Sequence, residues 1–142
     1  MRLVVALLVL AACEGPPAEA TDDRCGITAD AYIEGMSRDG DTFTFTLTEA
    51  SPAPPDRGDN SLSVAVSNAV GEPVIGASLG FAAFMPEHGH GSTPASVPAT
   101  ETSDGTYVTD TLDLFMPGVW DLTVSVEGDE ADEVTWRFCI EG

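Results

Sequence analysis

The chain has 142 residues, 24 acidic side chains against 5 basic ones, and a formal net charge of −19 at neutral pH. This length predicts a single domain, and so negative a surface repels phosphate backbones and anionic lipid head groups. The composition therefore excludes a role in binding DNA or RNA.

Residues 1–12 are typical of a signal peptide. A positive start is followed by an apolar run from Leu3 to Ala12, which is too short to span a bilayer. The run ends in Leu10-Ala11-Ala12-Cys13, which resembles the lipobox of bacterial lipoproteins, where a diacylglyceryl group is attached to the cysteine. This predicts an exported protein anchored in the bacterial cell envelope through lipid on Cys13. Glu14 favours the periplasmic face of the outer membrane, by analogy. The alternative is an ordinary secretory signal with a chance cysteine.

Residues 13–24 are rich in proline and acidic residues and predict a flexible tether, so residues 25–142 form the domain. Lipidation of Cys13 would leave Cys25 and Cys139 available for one disulfide in an oxidising compartment. The sequence does not show whether their two sulfur atoms are close enough to bond.

After Cys25 the apolar and polar residues alternate, as they do in β-strands with one buried face. Asp39-Gly40 predicts a hairpin turn between a strand over residues 31–36 and the next strand, and residues 79–84 are apolar on both faces, as in a central strand. The remaining strands are predicted by residues that share a phase: Phe43, Phe45 and Leu47; Leu62, Val64 and Val66; Leu112, Leu114 and Met116; Trp120, Leu122, Val124 and Val126; and Val134, Trp136, Phe138 and Ile140.

No segment sustains a helical period. Seven or eight short strands in a domain of about 115 residues predict an all-β fold, an antiparallel immunoglobulin-like β-sandwich. Cys139 is out of phase with Trp136 and Phe138, which predicts a bridge at the surface or edge of a sheet.

Both histidines of the chain lie in Met85-Pro86-Glu87-His88-Gly89-His90-Gly91. Residues two apart in extended backbone point the same way, so His88 and His90 can face one ion. Met85 and Met116 each end a predicted strand and are followed by proline. Thioether sulfur and imidazole nitrogen suit Cu(I) better than Cu(II) or Zn²⁺, whereas Ca²⁺ and Mg²⁺ prefer oxygen. If the two strand ends are neighbours, these four side chains form a metal site at the rim of the sandwich.

Other interpretations of these residues remain open. A methionine that ends an apolar strand more often fills the core than binds a metal, and a His-Gly-His segment is often a surface turn. Gly76-Ala77-Ser78-Leu79-Gly80 matches the G-x-S-x-G nucleophile elbow, but it opens a β-segment instead of joining a strand to a helix. We therefore expect no enzyme.

Short motifs are spread over residues 40–127: Arg57-Gly58-Asp59-Asn60, Gly71-Glu72-Pro73-Val74, Met85-Pro86-x-His88-Gly89-His90-Gly91, Asp104-Gly105-Thr106-Tyr107 and Met116-Pro117-Gly118-x-Trp120. Together they resemble the YtkA-like domain, a family of small exported bacterial β-sandwiches related in outline to FixH-type proteins and CopC-like copper carriers.

The resemblance implies an extracytoplasmic sandwich concerned with copper handling or oxidase assembly, and hence a partner at the membrane. Met85, His88, His90 and Met116 match the motif positions that would bind the metal. The first hypothesis is therefore a lipid-anchored module that binds copper and delivers it to a membrane partner. The second is a structural or protein-interaction module in which the same motifs fix the fold, with Trp120 packed beneath the histidine loop.

Overall fold

The computed structural model describes Cys25 and residues 29–142, and all regular secondary structure in that part of the chain is β-strand. No helix of the described residues is a candidate for crossing a membrane. In chain order the strands are β1 Met36–Asp39, β2 Thr44–Ser51, β3 Gly58–Ser67, β4 Ser78–Met85, β5 His90–Gly91, β6 Val97–Ser103, β7 Thr106–Thr109, β8 Leu112–Leu114, β9 Gly118–Glu127 and β10 Asp132–Ile140.

The strands form one continuous antiparallel sheet that folds over on itself. The hydrogen-bonded order is β1-β2-β3-β7-β6-β4-β9-β10, with β5 alongside β4 and β8 alongside β3. Inward-facing side chains from the whole path meet in a single core, as in a two-layered sandwich. The prediction of an all-β antiparallel sandwich is confirmed.

The alternating pattern of the sequence matches the observed burial. In β9, Trp120 and Leu122 are buried while Asp121 and Thr123 are half-buried. Each set of residues predicted to share a phase lies on the inner side of its strand, with two exceptions at strand ends: Phe43 is buried but precedes β2, and Met116 follows β8 and is half-buried. Burial of these faces supplies the main driving force for folding.

Strand β1 lies later in the chain than the hairpin pattern predicts. The turn after Asp39 is present, and the Gly40 N–H donates to the Phe43 carbonyl at 2.8 Å. The strand before it, however, begins only at Met36, because Gly35 has a φ of +82° and interrupts the extended backbone. The strand count also exceeds seven or eight because the alternating pattern indicated no strand at β5, β6 or β7. Strand β5 has 2 residues, too few to show a period of two, β6 buries only Val97, and β7 has 4 residues.

Asp30 links the two edge strands, β1 and β10. Its carboxylate accepts hydrogen bonds from Arg38 Nη2 at 2.7 and 2.8 Å and from the Arg137 N–H at 2.8 Å. The Asp30 N–H donates to the Arg137 carbonyl at 2.6 Å. These bonds satisfy edge groups that would otherwise be unpaired, and they nearly close the sheet.

Asp132, at the start of β10, holds the β1–β2 turn against the other edge of the sheet. Its carboxylate accepts the N–H groups of Asp41, Thr42 and Phe43 at 3.0, 2.9 and 2.8 Å. Burial alone would raise the pKa of Asp132, but the N–H donors of Phe43, Thr42 and Asp41 and that of Glu133 outweigh it, so the pKa is lowered.

We expect Asp132→Asn to lower the free energy of unfolding by about 1–2 kcal/mol at neutral pH, because an amide nitrogen would face main-chain N–H groups. The lowered pKa means that the carboxylate stabilises the fold fully above the ordinary carboxyl pKa of about 4. This stabilisation is lost as the pH falls through the folded-state pKa. Urea denaturation at neutral and acidic pH measures this, and the difference between wild type and variant should shrink in acid.

Asp129→Asn is the matched control, since that side chain is exposed in the neighbouring turn. The stabilising role of Asp132 would be refuted if both variants showed the same pH dependence of stability.

Cys25 and Cys139 are joined by a disulfide, with their Cα atoms 5.3 Å apart. Cys139 is half-buried and pairs with Val119 in β9, in agreement with its predicted place off the core face. The predicted signal peptide, the tether and the lipid site at Cys13 lie outside the described residues.

Two of the sequence motifs pack against each other at the end of the sandwich where β3 finishes and β4 begins. Tyr107 Oη donates to the Val74 carbonyl at 2.7 Å and accepts the Ala77 N–H at 2.9 Å. Burial raises the pKa of Tyr107, although the Ala77 hydrogen bond opposes it. Gly105 has a φ of +68° and lies against Pro73, where a larger residue would collide with the ring. These motifs fix the fold at the end opposite both histidines.

Candidate functional site

The two predicted loops meet at one end of the sandwich. Strand β4 ends at Met85 and β9 begins at Gly118, and the two strands pair directly, with Phe84 opposite Asp121. The segments that follow β4 and precede β9 therefore lie side by side. The condition on which the predicted metal site depended, that these strand ends are neighbours, is met.

A tight turn brings His90 back beside Met85. The N–H groups of His88 and Gly89 donate to the Met85 carbonyl at 3.2 and 2.9 Å, and Gly89 has a φ of +68°, which favours glycine. His90 is the register partner of Met85 in the β4–β5 pair. Directly opposed residues of antiparallel strands share a face, so His90 lies on the inner side of the sheet edge.

Aromatic rings surround the His90 imidazole. The ring stacks on Phe115 with centroids 5.4 Å apart and planes 21° apart, and it meets Trp120 at 6.3 Å in an edge arrangement. Phe115 and Trp120 also touch, edge to face, at 5.5 Å. The exposed His88 ring completes the group, with its centroid 5.7 Å from that of His90. We call His88, His90, Phe115 and Trp120 the aromatic cluster.

One ring nitrogen of His90 has no partner. Its Nδ1 atom is buried and makes no hydrogen bond, a condition it shares in the described residues only with Tyr32 Oη and Trp136 Nε1. A buried polar atom left unsatisfied costs about 1–3 kcal/mol. Of the three atoms it is the only imidazole nitrogen, and a neutral imidazole nitrogen can act as a metal ligand.

Met85 lies at the base of the site and is fully buried. A Cβ atom added to Gly118 would come within 2.8 Å of the Met85 methyl group, so this side chain reaches across to the start of β9. The interpretation of Met85 as core filler is therefore correct as a description of its packing. Its additional role as a ligand stays a prediction.

Met116 is half-buried and packs against the core beside the aromatic cluster. Its carbonyl accepts the Trp120 Nε1–H at 2.9 Å, which uses the only hydrogen bond that the indole can donate. The fold thus brings Met85, His88, His90 and Met116 to the same end of the sandwich. Trp120 lies at that end too and anchors the loop that carries Met116.

The sequence did not reveal the supports of the Phe115 loop. Arg57 Nε donates to the Phe115 carbonyl at 3.1 Å. Asn60 is buried, and its side chain bonds the Asp56 N–H and carbonyl and the Gly58 carbonyl at 3.0, 2.7 and 2.7 Å. The Arg57-Gly58-Asp59-Asn60 motif therefore has a structural use next to the site. The only available signal for Phe115 was an aromatic residue directly before Met116-Pro117.

The donors at this end are soft thioether sulfur and borderline imidazole nitrogen. In the part of the chain that the structure describes, no three histidine, cysteine or acidic side chains come together as a metal site. The two imidazoles and two thioethers of the predicted set are the donors that Cu(I) prefers.

A surface cavity with an acidic lining lies elsewhere, between the β1–β2 turn and β9–β10. The Asp132 carboxylate, which lines this cavity, already accepts hydrogen bonds from three main-chain N–H groups. This cavity therefore explains none of the features around His90.

The fold and these loops define a class: all-β domains with a histidine–methionine loop at one end of the sandwich. The chain belongs to the YtkA-like family, whose family model matches residues 38–125. The resemblance is confirmed, and the matched region includes Met85, His88, His90 and Met116 but neither cysteine of the disulfide. No curated protein matches the chain. No solved structure matches it either.

Proposed function

We propose that this YtkA-like domain is an exported, lipid-anchored metal-binding module that takes up copper, with Cu(I) favoured, and passes it to a partner at the membrane. The domain is held in the cell envelope by lipid on Cys13, on the periplasmic face of the outer membrane. It has no catalytic role in this proposal.

The observation that carries the proposal is the buried Nδ1 of His90 without a hydrogen-bond partner. A second imidazole lies 5.7 Å away, ring centroid to ring centroid, and Met85 is the register partner of His90. A soft metal ion would satisfy the His90 Nδ1 atom, and the same ion could also be bound by thioether sulfur.

The residues present fit copper in a way that would allow exchange. His88 is exposed, His90 and Met116 are half-buried, and Met85 closes the site from below. Bound at this rim, Cu(I) would be the cargo of the domain. The side chains would hold it in a low-coordinate, soft environment near the surface, from which a partner can remove it.

A second function is supported by a specific observation. Met85 is fully buried and the Trp120 indole is tied to the Met116 carbonyl at 2.9 Å, so both motifs contribute to the fold. A structural or protein-interaction module of the cell envelope would need no more than this. The copper-binding module requires high metal affinity that depends on His90, whereas the structural module requires no metal affinity.

We expect residues 24–142 to bind one Cu(I) with nanomolar or tighter affinity, and His90→Ala to weaken binding by about a hundredfold or more. This fragment contains all ten strands and both bonded cysteines. The measurement is a competition titration against a chromophoric Cu(I) chelator, with ascorbate as the reductant so that the disulfide stays intact. Because His90 is only half-buried, the variant should lose little stability.

Met116→Leu and Met36→Leu form a matched pair, since both methionines are partly buried against the core and Met36 is remote in β1. Only Met116→Leu should weaken Cu(I) binding. Micromolar wild-type affinity, or affinity unchanged in His90→Ala, would refute metal carriage and leave the structural module.

A further inference from the structure

The aromatic cluster includes one ring whose position the core does not explain. Phe115 is 38 % exposed, yet it is stacked on His90 and in contact with Trp120. Arg57 holds its carbonyl at 3.1 Å. Phe115 does not belong to the buried core or to the residues packed against it, so its ring forms a partly exposed cover over the His90 imidazole.

Phe115 and Trp120 give the His90 ring an apolar, aromatic surrounding. The Trp120 N–H is already donated to Met116, so the indole can offer His90 and any neighbouring ion only its ring. An ion bound to His90 would lie beside these rings and would exchange part of its hydration for aromatic surface. Aromatic faces attract cations, whereas an apolar surrounding penalises charge, and it penalises a double charge far more than a single one.

The consequence for metal choice follows from coordination chemistry. Cu(II) favours several nitrogen or oxygen donors, and Zn²⁺ favours four donors, commonly thiolate, imidazole, carboxylate or a bound water. A monovalent soft ion is satisfied by a few nitrogen and thioether sulfur donors. We propose that Phe115 and Trp120 are specificity-determining residues, which restrict the site to a monovalent soft cation such as Cu(I) or Ag(I) and exclude Cu(II) and Zn²⁺. This inference rests on the proposed function.

Phe115 is the residue to test, because it is partly exposed and its loss should leave the fold intact. The variants are Phe115→Ala, which removes the ring, and Phe115→Leu, which keeps an apolar wall without an aromatic face. Phe84→Ala is the matched control: Phe84 is 45 % exposed and ends the same strand as Met85, but it lies on the opposite side of that strand. Circular dichroism and thermal unfolding confirm that each variant is folded.

Cu(I) and Ag(I) affinities are measured by competition with a chromophoric ligand, and Cu(II) and Zn²⁺ affinities by calorimetric titration. Ag(I) reports selectivity without redox chemistry. We expect the wild type to prefer both monovalent ions over Zn²⁺. Phe115→Ala should narrow the ratio of Ag(I) to Zn²⁺ affinity about tenfold, while Phe84→Ala should leave it unchanged. Phe115→Leu separates exclusion of water from attraction by the aromatic face. If its ratio of Ag(I) to Zn²⁺ affinity is close to that of the wild type, selectivity comes from exclusion of water. If the ratio lies between those of the wild type and Phe115→Ala, the aromatic face contributes part of the selectivity.

The outcomes separate this inference from the proposed function. A wild type that binds Cu(I) tightly, with the same Ag(I) to Zn²⁺ ratio in Phe115→Ala, overturns the selectivity role and leaves copper carriage standing. A wild type that prefers Zn²⁺ also overturns it. A wild type that binds none of the four ions overturns both.

Discussion

Replacing Met85 with alanine is expected to lower the free energy of unfolding by about 2–5 kcal/mol, the range for truncating a fully buried methionine. The side chain has no exposed surface and reaches the start of β9, so its removal leaves a cavity where the two loops meet. Met85→Leu keeps nearly the same volume and should cost less than about 1.5 kcal/mol. Urea denaturation at 25 °C, with thermal unfolding as a second probe, measures both.

The burial of Met85 changes which variant can test its role as a ligand. From the sequence alone, a metal carrier is expected to tolerate Met85→Ala with little loss of stability. Because Met85 is fully buried, however, the alanine variant should destabilise the fold whether or not a metal binds. Met85→Leu removes the sulfur atom and little else. If the thioether is a ligand, Cu(I) affinity should fall about tenfold or more in Met85→Leu while stability stays near wild type.

Met36→Leu is the control for loss of a thioether away from the site. An unchanged Cu(I) affinity in Met85→Leu would show that Met85 is core filler only, and His88, His90 and Met116 would remain as the ligands to be tested. A fall in affinity of equal size in Met36→Leu would show that the effect is not specific to the site.

The sequence was sufficient for the strands whose burial alternates over several residues. In β10, for example, Val134 and Trp136 show the period of two directly, because one face of the strand is packed and the other is not. It was insufficient for β5, which is only 2 residues long, for β6, which buries only Val97, and where a single glycine redirects the chain. Gly35 is such a residue, and it moved β1 from its predicted place.

The candidate site also has features that the sequence predicted and features that only the structure shows. The Met85 and Met116 loops are neighbours because β4 pairs with β9, whereas the sequence indicated only the faces of these strands and left their pairing as a condition. The stacking of His90 on Phe115 was not predictable, since the two residues are far apart in the chain and the contact depends on how the sheet folds over. The partnerless Nδ1 of His90 is likewise a property of three-dimensional packing that no pattern of residue types encodes.

Gly118→Ala is expected to lower the free energy of unfolding by about 2–4 kcal/mol, for two separable reasons. Gly118 has a φ of +133°, which residues with a side chain rarely adopt, and its new Cβ would lie 2.8 Å from the Met85 methyl group. Gly128→Ala is the matched control, because Gly128 has a φ of +121° and nothing within 4 Å of an added Cβ. Urea denaturation measures the loss of unfolding free energy in both variants. The loss in Gly118→Ala minus the loss in Gly128→Ala is the cost of displacing Met85.

A double-mutant cycle tests the assignment of that difference to Met85. With Met85 already truncated to alanine, Gly118→Ala should cost only the backbone strain seen in Gly128→Ala, so the two substitutions should couple by about 1–2 kcal/mol. Additive effects would mean that Gly118 is needed for its backbone alone and that the methionine has room to move. Coupling would establish that the Met-Pro-Gly motif has glycine at position 118 because a side chain there would displace Met85. The two predicted metal-binding loops would then be joined by direct packing as well as by the pairing of β4 with β9.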